Sequence, residues 1–455
     1  MGQLDRHVQE KLTEWTAAGL ISPTQAQAIR AREAEEKPGL PWGILIFAGF
    51  GAVVIGLGVI LLFAYNWDKM HKFAKLGVVF GAMAAAHGTG LYLLRRESLR
   101  GFAEAALLLG TMLFGAGIWL VAQIYHISAH YPNAFFVWAA GALLLAWALP
   151  SVAHGLLAAV LLAIWACAEV SSFANHLAVA PLLVLAGTGW LAWRQRSPVL
   201  LEAAAVSFAV SAAAGFCFNG TGVFMVLLGV AVGYGSLAWL ARGYQAFPSA
   251  HAILRVAGML LYFPLLFILT FHDAAEDLLE RRGWNWHELA TQEWLPVILL
   301  PLVALALAAS AVRRAAILRQ CHTPEFRARL VAPAIILIVF LVVWWLARFA
   351  AHPPAAEIGG VAVATVATAV FLYHSVAGLW RGCRDTRPGL VVGGSLLLAA
   401  WVFARYTDLF DSLLARGVMF VVMGSALFAV AIFYHRLKNQ ARPPAASAAA
   451  TGKED

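Results

Sequence analysis

The sequence is poor in charge. Asp, Glu, Lys and Arg make up 12% of its 455 residues and hydrophobic residues 62%, whereas roughly a quarter of an ordinary soluble domain is charged, so most of this chain is excluded from facing water. Cysteine is scarce as well. Cys167, Cys217, Cys321 and Cys383 form no CxxC pair and no ligand spacing with histidine, so free thiols are expected and a metal is not. A P-loop GxxxxGK[ST], a GxGxxG turn, a GxSxG elbow and an HExxH pair are also missing. No cofactor is therefore expected, and ATP-driven action would need a separate subunit. The net charge of +8 comes from Lys and Arg scattered through short loops, which speaks against a nucleic-acid partner.

What is present is a series of uninterrupted apolar runs. Their length, roughly 18 to 24 residues, is what a helix needs to cross about 30 Å of hydrocarbon at 1.5 Å per residue. The runs are rich in Ala and Leu and lack period-two alternation, which excludes a membrane barrel. The expected fold is an all-α, polytopic transmembrane bundle of about fourteen spans. The candidate spans are 42–65, 74–94, 101–124, 134–149, 152–172, 177–193, 199–218, 222–241, 256–271, 295–312, 331–350, 356–379, 389–404 and 417–435. With the N-terminus inside, 24 of the 32 Lys and Arg fall on the inner side and 8 on the outer. This bias predicts that both termini are cytoplasmic. Residues 1–41 are polar and the run after them is too long for a signal core, so the first span is read as a retained anchor.

Three parts of the chain are expected: a cytoplasmic two-helix segment at 1–37, the transmembrane domain at 42–435, and a disordered cytoplasmic tail at 436–455. In the first segment the helices break at Gly19. Ser22 caps the second helix, Pro23 suits its first turn, and Gln25 completes a capping box. The segment is read as a polar lead-in or as a docking module for a cytoplasmic protein. The outer loop at 272–294, with Asp273, Glu276, Trp284 and Trp286, suggests an amphipathic helix at the interface or a lid. Tyr65, Lys75 and Arg95 share their separations with Tyr406, Arg416 and Arg436. Bilayer thickness alone imposes such spacings, so coincidence is the simpler account of this match between the first and last hairpins.

The stretches LTEWTAAGLISPTQAQAI, FAYNWDKMHKFAKLG and WLVAQIYHISAHYPNA together resemble a bacterial polytopic membrane protein family catalogued only as a domain of unknown function. RYTDLFDSLLARG also resembles sequence that recurs in such proteins. The likeness is best over the first 150 residues. It implies a bacterial inner-membrane protein and no particular activity.

Polar groups inside the hydrocarbon layer are costly, about 2.5 to 3.5 kcal/mol for a central charge, so each one needs a reason. Glu169, in WACAEVSSF, is read as a proton or cation site, or as a carboxylate that snorkels or pairs with a neighbouring helix. His87 and His374 are read as proton carriers or as neutral imidazoles hydrogen-bonded between helices. Glu104 and Glu202 fit helix-start positions, and Gly77 with Gly81 and Gly51 with Gly58 fit close helix packing. On the outer side Asp68, Gln123, Tyr125, His126 and Arg405 form a candidate site that combines acid, base and cation; it requires spans one, three and thirteen to be neighbours. His126 and His130 would share a face if helical, as zinc ligands do, but no third ligand accompanies them. Membrane lipids are the expected surroundings. Three functions compete: a secondary transporter or flippase-like carrier, a membrane-embedded transferase acting on a lipid-linked substrate, and a structural or regulatory membrane partner.

Overall fold

The computed structural model describes residues 12–35, 71–96, 99–127, 130–177, 179–215, 220–279, 291–317, 326–349 and 355–409, with positions 323 and 425. Two compact units are distinguished, Met1–Val78 and Val79–Asp455. The first and last candidate spans, the hairpin match and the basic tail lie outside the described residues, apart from scattered positions.

In the first unit, residues 12–17 are helical and α1 spans Pro23–Glu35. Gly19 joins them at φ +68°, a left-handed conformation that glycine adopts without a Cβ penalty. The start of α1 is a reciprocal cap: Gln25 N–H donates to Ser22 Oγ at 3.1 Å, and Ser22 N–H donates to Gln25 Oε1 at 2.9 Å. Ser22→Ala removes the first of these bonds. It is expected to cost about 1 kcal/mol of local stability, read as faster amide exchange over residues 23–28; unchanged exchange would show that the cap does not matter.

The second unit is built from helices. They are α2 (Lys72–Leu93, which begins within the first unit), α3 (Arg100–Ile124), α4 (Pro132–Ala148), α5 (Val152–Phe173), α6 (Val179–Val184) and α7 (Trp190–Gln195). After these come α8 (Pro198–Gly215), α9 (Gly220–Leu240), α10 (Pro248–Leu269), α11 (His272–Leu279) and α12 (Thr291–Ile317). The last among the described residues are α13 (Ala332–Phe349), α14 (Ala355–Arg384) and α15 (Pro388–Leu409). A π turn at Leu185–Gly189 makes α6 and α7 one continuous rod, and a second, at Arg327–Val331, leads into α13. No strand occurs among the described residues. Helices occupy every candidate span from the second to the thirteenth. Among the described residues seven are both long and apolar enough to cross a membrane, and Pro132–Ala148, Ala332–Leu346 and Pro388–Ala404 are shorter apolar helices.

Small residues set the packing, as expected where lipid leaves little hydrophobic drive between helices. Helix α9 is the most enclosed of the seven, with 72% of its apolar window buried, and it packs on α10, α12 and α13. A Cβ on Gly258 of α10 would stand 3.2 Å from the Ala231 carbonyl oxygen and 3.2 Å from the Gly235 nitrogen. The α14–α15 hairpin is closer still: a Cβ on Gly394 would meet the Leu379 nitrogen and the Ser375 carbonyl oxygen, both at 2.8 Å. Gly77 and Gly81 behave otherwise, since a Cβ on either meets nothing within 4 Å. Among the described residues their spacing therefore marks no close helix contact, and Gly51 and Gly58 lie outside those residues.

One expectation about polar elements changes, and another, an amphipathic helix in the outer loop, is met in part. Glu104 and Glu202 are each the fifth residue of their helix, α3 and α8, beyond the first turn in which a carboxylate meets free N–H groups. In the loop at 272–294, α11 buries Ala275 and Leu279 against α14; Trp284 and Trp286 lie outside the described residues.

Candidate functional site

Two polar clusters stand out among the described residues. The first is built at the end of α5. Ala174 caps this helix in a left-handed conformation (φ +49°), turning the chain back so that Asn175 N–H reaches the Glu169 carbonyl at 3.1 Å. The same reversal lets Asn175 Nδ2 donate to Glu169 Oε2 at 2.9 Å. One turn earlier on α5, Trp165 Nε1–H donates to Glu169 Oε1 at 3.1 Å. From the segment between α3 and α4, His130 Nε2 lies 2.6 Å from Glu169 Oε2. Glu169 is only 2% exposed, and its partner His130 is 34% exposed. Beside the pair, Tyr131 Oη lies 2.6 Å from Ser172 Oγ, and the Phe173 ring centroid is 4.0 Å from that of His130. The carboxylate is thus held on both oxygens by groups from two chain segments.

The second cluster surrounds a cavity of about 270 Å³ between α9, α10, α14 and α15, with Ala328 of the second π turn and Pro333 of α13 completing the wall. Such turns recur at functional sites. Phe267 meets Phe371 with ring centroids 5.8 Å apart, and Tyr262 meets His374 at 5.5 Å. One helix therefore ascends as the other descends. Tyr262 Oη and His374 Nε2 are 3.2 Å apart. Arg255 on α10 and Arg381 on α14 each lie seven residues from this pair, two turns or about 10 Å along the helix, on the same side of it. His251 stands one turn beyond Arg255, its Nδ1 2.8 Å from the Ala238 carbonyl oxygen. All five polar residues line the cavity, and no Asp or Glu does so among the described residues. The remaining wall is apolar, with Trp239, Met259, Phe263, Leu390 and Leu397 among its members.

The residues singled out from sequence are distributed between these clusters and other places. Glu169 is the centre of the first cluster and His374 belongs to the second. His87 joins neither: its Nδ1 is 3.0 Å from the Met83 carbonyl oxygen, and its ring fills the notch left by Gly110 on α3. Gln123, Tyr125 and His126 sit exposed at the end of α3. Asp68 lies outside the described residues, and Arg405 falls within α15. His126 and His130 do not share a helical face, because α3 ends at Ile124 and His126 adopts a left-handed conformation, φ +52°. Among the described residues no cluster of three or more His, Cys, Asp or Glu is placed to hold a metal ion.

Sequence reasoning missed Arg255, Arg381, His251 and Tyr262. A signal was present: Arg255 and Tyr262, and His374 and Arg381, are each seven apart, which places each pair on one helix face. It was obscured because α10 begins at Pro248, eight residues before the expected span, and α14 runs to Arg384, five residues beyond it. Hydropathy falls where charge begins, but backbone hydrogen bonding continues through Arg, a good helix former.

Neither the curated proteins nor the solved structures contain a match to this chain. Residues 13–155 match the model of the family described as "Predicted membrane protein (DUF2157)".

Proposed function

We propose that this multi-pass membrane protein is a carrier and that the cavity between α9, α10, α14 and α15 is part of its substrate path. The observation that carries this reading is the depth of the cavity. It reaches His374, ten residues or about 15 Å along α14 from its Arg384 end and five residues inside the end of the expected span 356–379. A mainly apolar cavity that carries a few polar groups and ends among apolar helices suits a substrate that enters from one face. The positive-inside bias assigns the arginine-bearing end and both termini to the cytoplasm; the apolar runs support about fourteen spans, and the resemblance supports a bacterial inner membrane. Among the described residues no Ser, Thr, Cys, Asp or Glu lines the cavity to act as nucleophile or carboxylate base, so the carrier reading is preferred to the transferase.

The test uses the full chain with Cys167, Cys217, Cys321 and Cys383 replaced by Ser and one cysteine introduced as Ala377→Cys, which lines the cavity. A carrier that alternates its access is expected to be labelled by an impermeant maleimide from either side of oriented vesicles. Labelling from the cytoplasmic side alone would defeat the carrier reading. Trp284→Cys and Asp455→Cys serve as topology markers and are expected to label from opposite sides; labelling from the same side would overturn the assigned orientation.

A further inference from the structure

We propose that the cavity binds the phosphate head of an anionic lipid, with Arg255 and Arg381 as its ligands and the apolar wall holding the start of the acyl chains. This assignment deepens the carrier reading and rests on it for the direction of entry. Three features argue for it. The cavity is cationic at one end, where Arg255, Arg381 and His251 gather, and no acidic side chain lines it among the described residues. Two guanidinium groups present planar forks of N–H donors that match phosphate oxygens better than a point charge does.

The second feature is polarity along the cavity. Beyond the arginines the walls are Met259, Phe263 and Leu397, and at the far end Tyr262 and His374 are engaged with each other at 3.2 Å. A ligand with one charged end and an apolar body fits this gradient, whereas a wholly polar solute would leave the apolar surface uncovered. The third feature is an opening for the chains. Gly389 and Gly393, one turn apart on α15, both line the cavity, and a Cβ on either meets nothing within 4 Å. A volume of about 270 Å³ accepts a head and the first methylenes. The rest of an acyl chain would leave past these glycines, along a helix whose Val392, Leu396 and Phe403 are exposed.

The experiment measures retention of radiolabelled phosphatidylglycerol by the purified full-length protein in micelles containing phosphatidylcholine. Unlabelled phosphatidylglycerol, unlabelled phosphatidylcholine and inorganic phosphate serve as competitors. Phosphatidylglycerol alone is expected to compete. Arg255→Gln and Arg381→Gln should each weaken retention roughly tenfold or more, as loss of a charged hydrogen-bonding partner implies. Arg313→Gln, at an exposed position outside the cavity, should leave retention unchanged. Where an arginine variant fails to fold, Gly393→Leu, which fills the opening on α15, is expected to weaken retention with both arginines in place. Retention unaltered by the folded cavity variants, or competition by phosphatidylcholine equal to that by phosphatidylglycerol, would overturn the assignment. Competition by inorganic phosphate at comparable concentration would overturn it in favour of a soluble phosphate ligand. The maleimide readout is independent of lipid. Two-sided labelling with failed retention removes only the lipid assignment, and specific retention with one-sided labelling removes only the carrier reading.

Discussion

Glu169→Ala is expected to destabilise the protein by about 3 kcal/mol, the order of cost for breaking a buried, hydrogen-bonded charge contact. The carboxylate is 2% exposed and accepts from Trp165 and Asn175 while contacting His130. Truncation removes the acceptor common to all three and leaves the Trp165 indole N–H without its partner in a side chain that is 6% exposed. It also detaches the segment between α3 and α4 from the end of α5. Glu169→Gln keeps one acceptor oxygen and should cost roughly half as much. Thermal denaturation in detergent, followed by tryptophan fluorescence, reads both variants. A Glu169→Ala protein as stable as the parent would show that the carboxylate does not anchor this end of the bundle, returning it to consideration as a proton site.

The second large effect is expected at Gly394. Its missing side chain lets α14 and α15 touch through their backbones, and a Cβ there would stand 2.8 Å from the Leu379 nitrogen and from the Ser375 carbonyl oxygen. Neither atom can rotate away as the tip of a flexible side chain can. Gly394→Leu should therefore open the hairpin, at a cost of about 3 kcal/mol or more, and reduce the monodisperse fraction on size-exclusion chromatography. Gly389→Ala is the matched contrast, because its Cβ meets nothing within 4 Å. That variant should be neutral or gain up to about 1 kcal/mol from helix propensity. Equal behaviour of the two variants would disprove the close approach.

The two polar clusters were legible to different degrees. Glu169 drew attention because a carboxylate in an apolar run needs a reason, and His130 was noticed in its loop, but their pairing spans 39 residues and a reversed chain end. The cavity was less legible. His374 is visible as a polar residue in an apolar run, whereas hydropathy falls at Arg255 and Arg381, which lie outside the expected spans 256–271 and 356–379. Tyr262 gave no signal, since a tyrosine in an apolar run is ordinary. The outer-side group was assembled by residue type alone; of its members, Gln123, Tyr125 and His126 stand exposed together at the end of α3.

Composition and run length by themselves determined that the chain is helical and membrane-embedded. They also located the helices from Lys72–Leu93 through Pro388–Leu409, because a backbone in hydrocarbon has to satisfy its hydrogen bonds within each segment. The reciprocal cap of Ser22 and Gln25 was likewise local, involving atoms three residues apart. Only the tertiary structure decided which polar groups meet. Two helix faces carrying Arg255 with Tyr262 and His374 with Arg381 become one cavity when α10 and α14 pack in opposite directions. That pairing depends on side-chain fit between segments 112 residues apart, as at Tyr262 and His374, a separation over which neither hydropathy nor periodicity carries information.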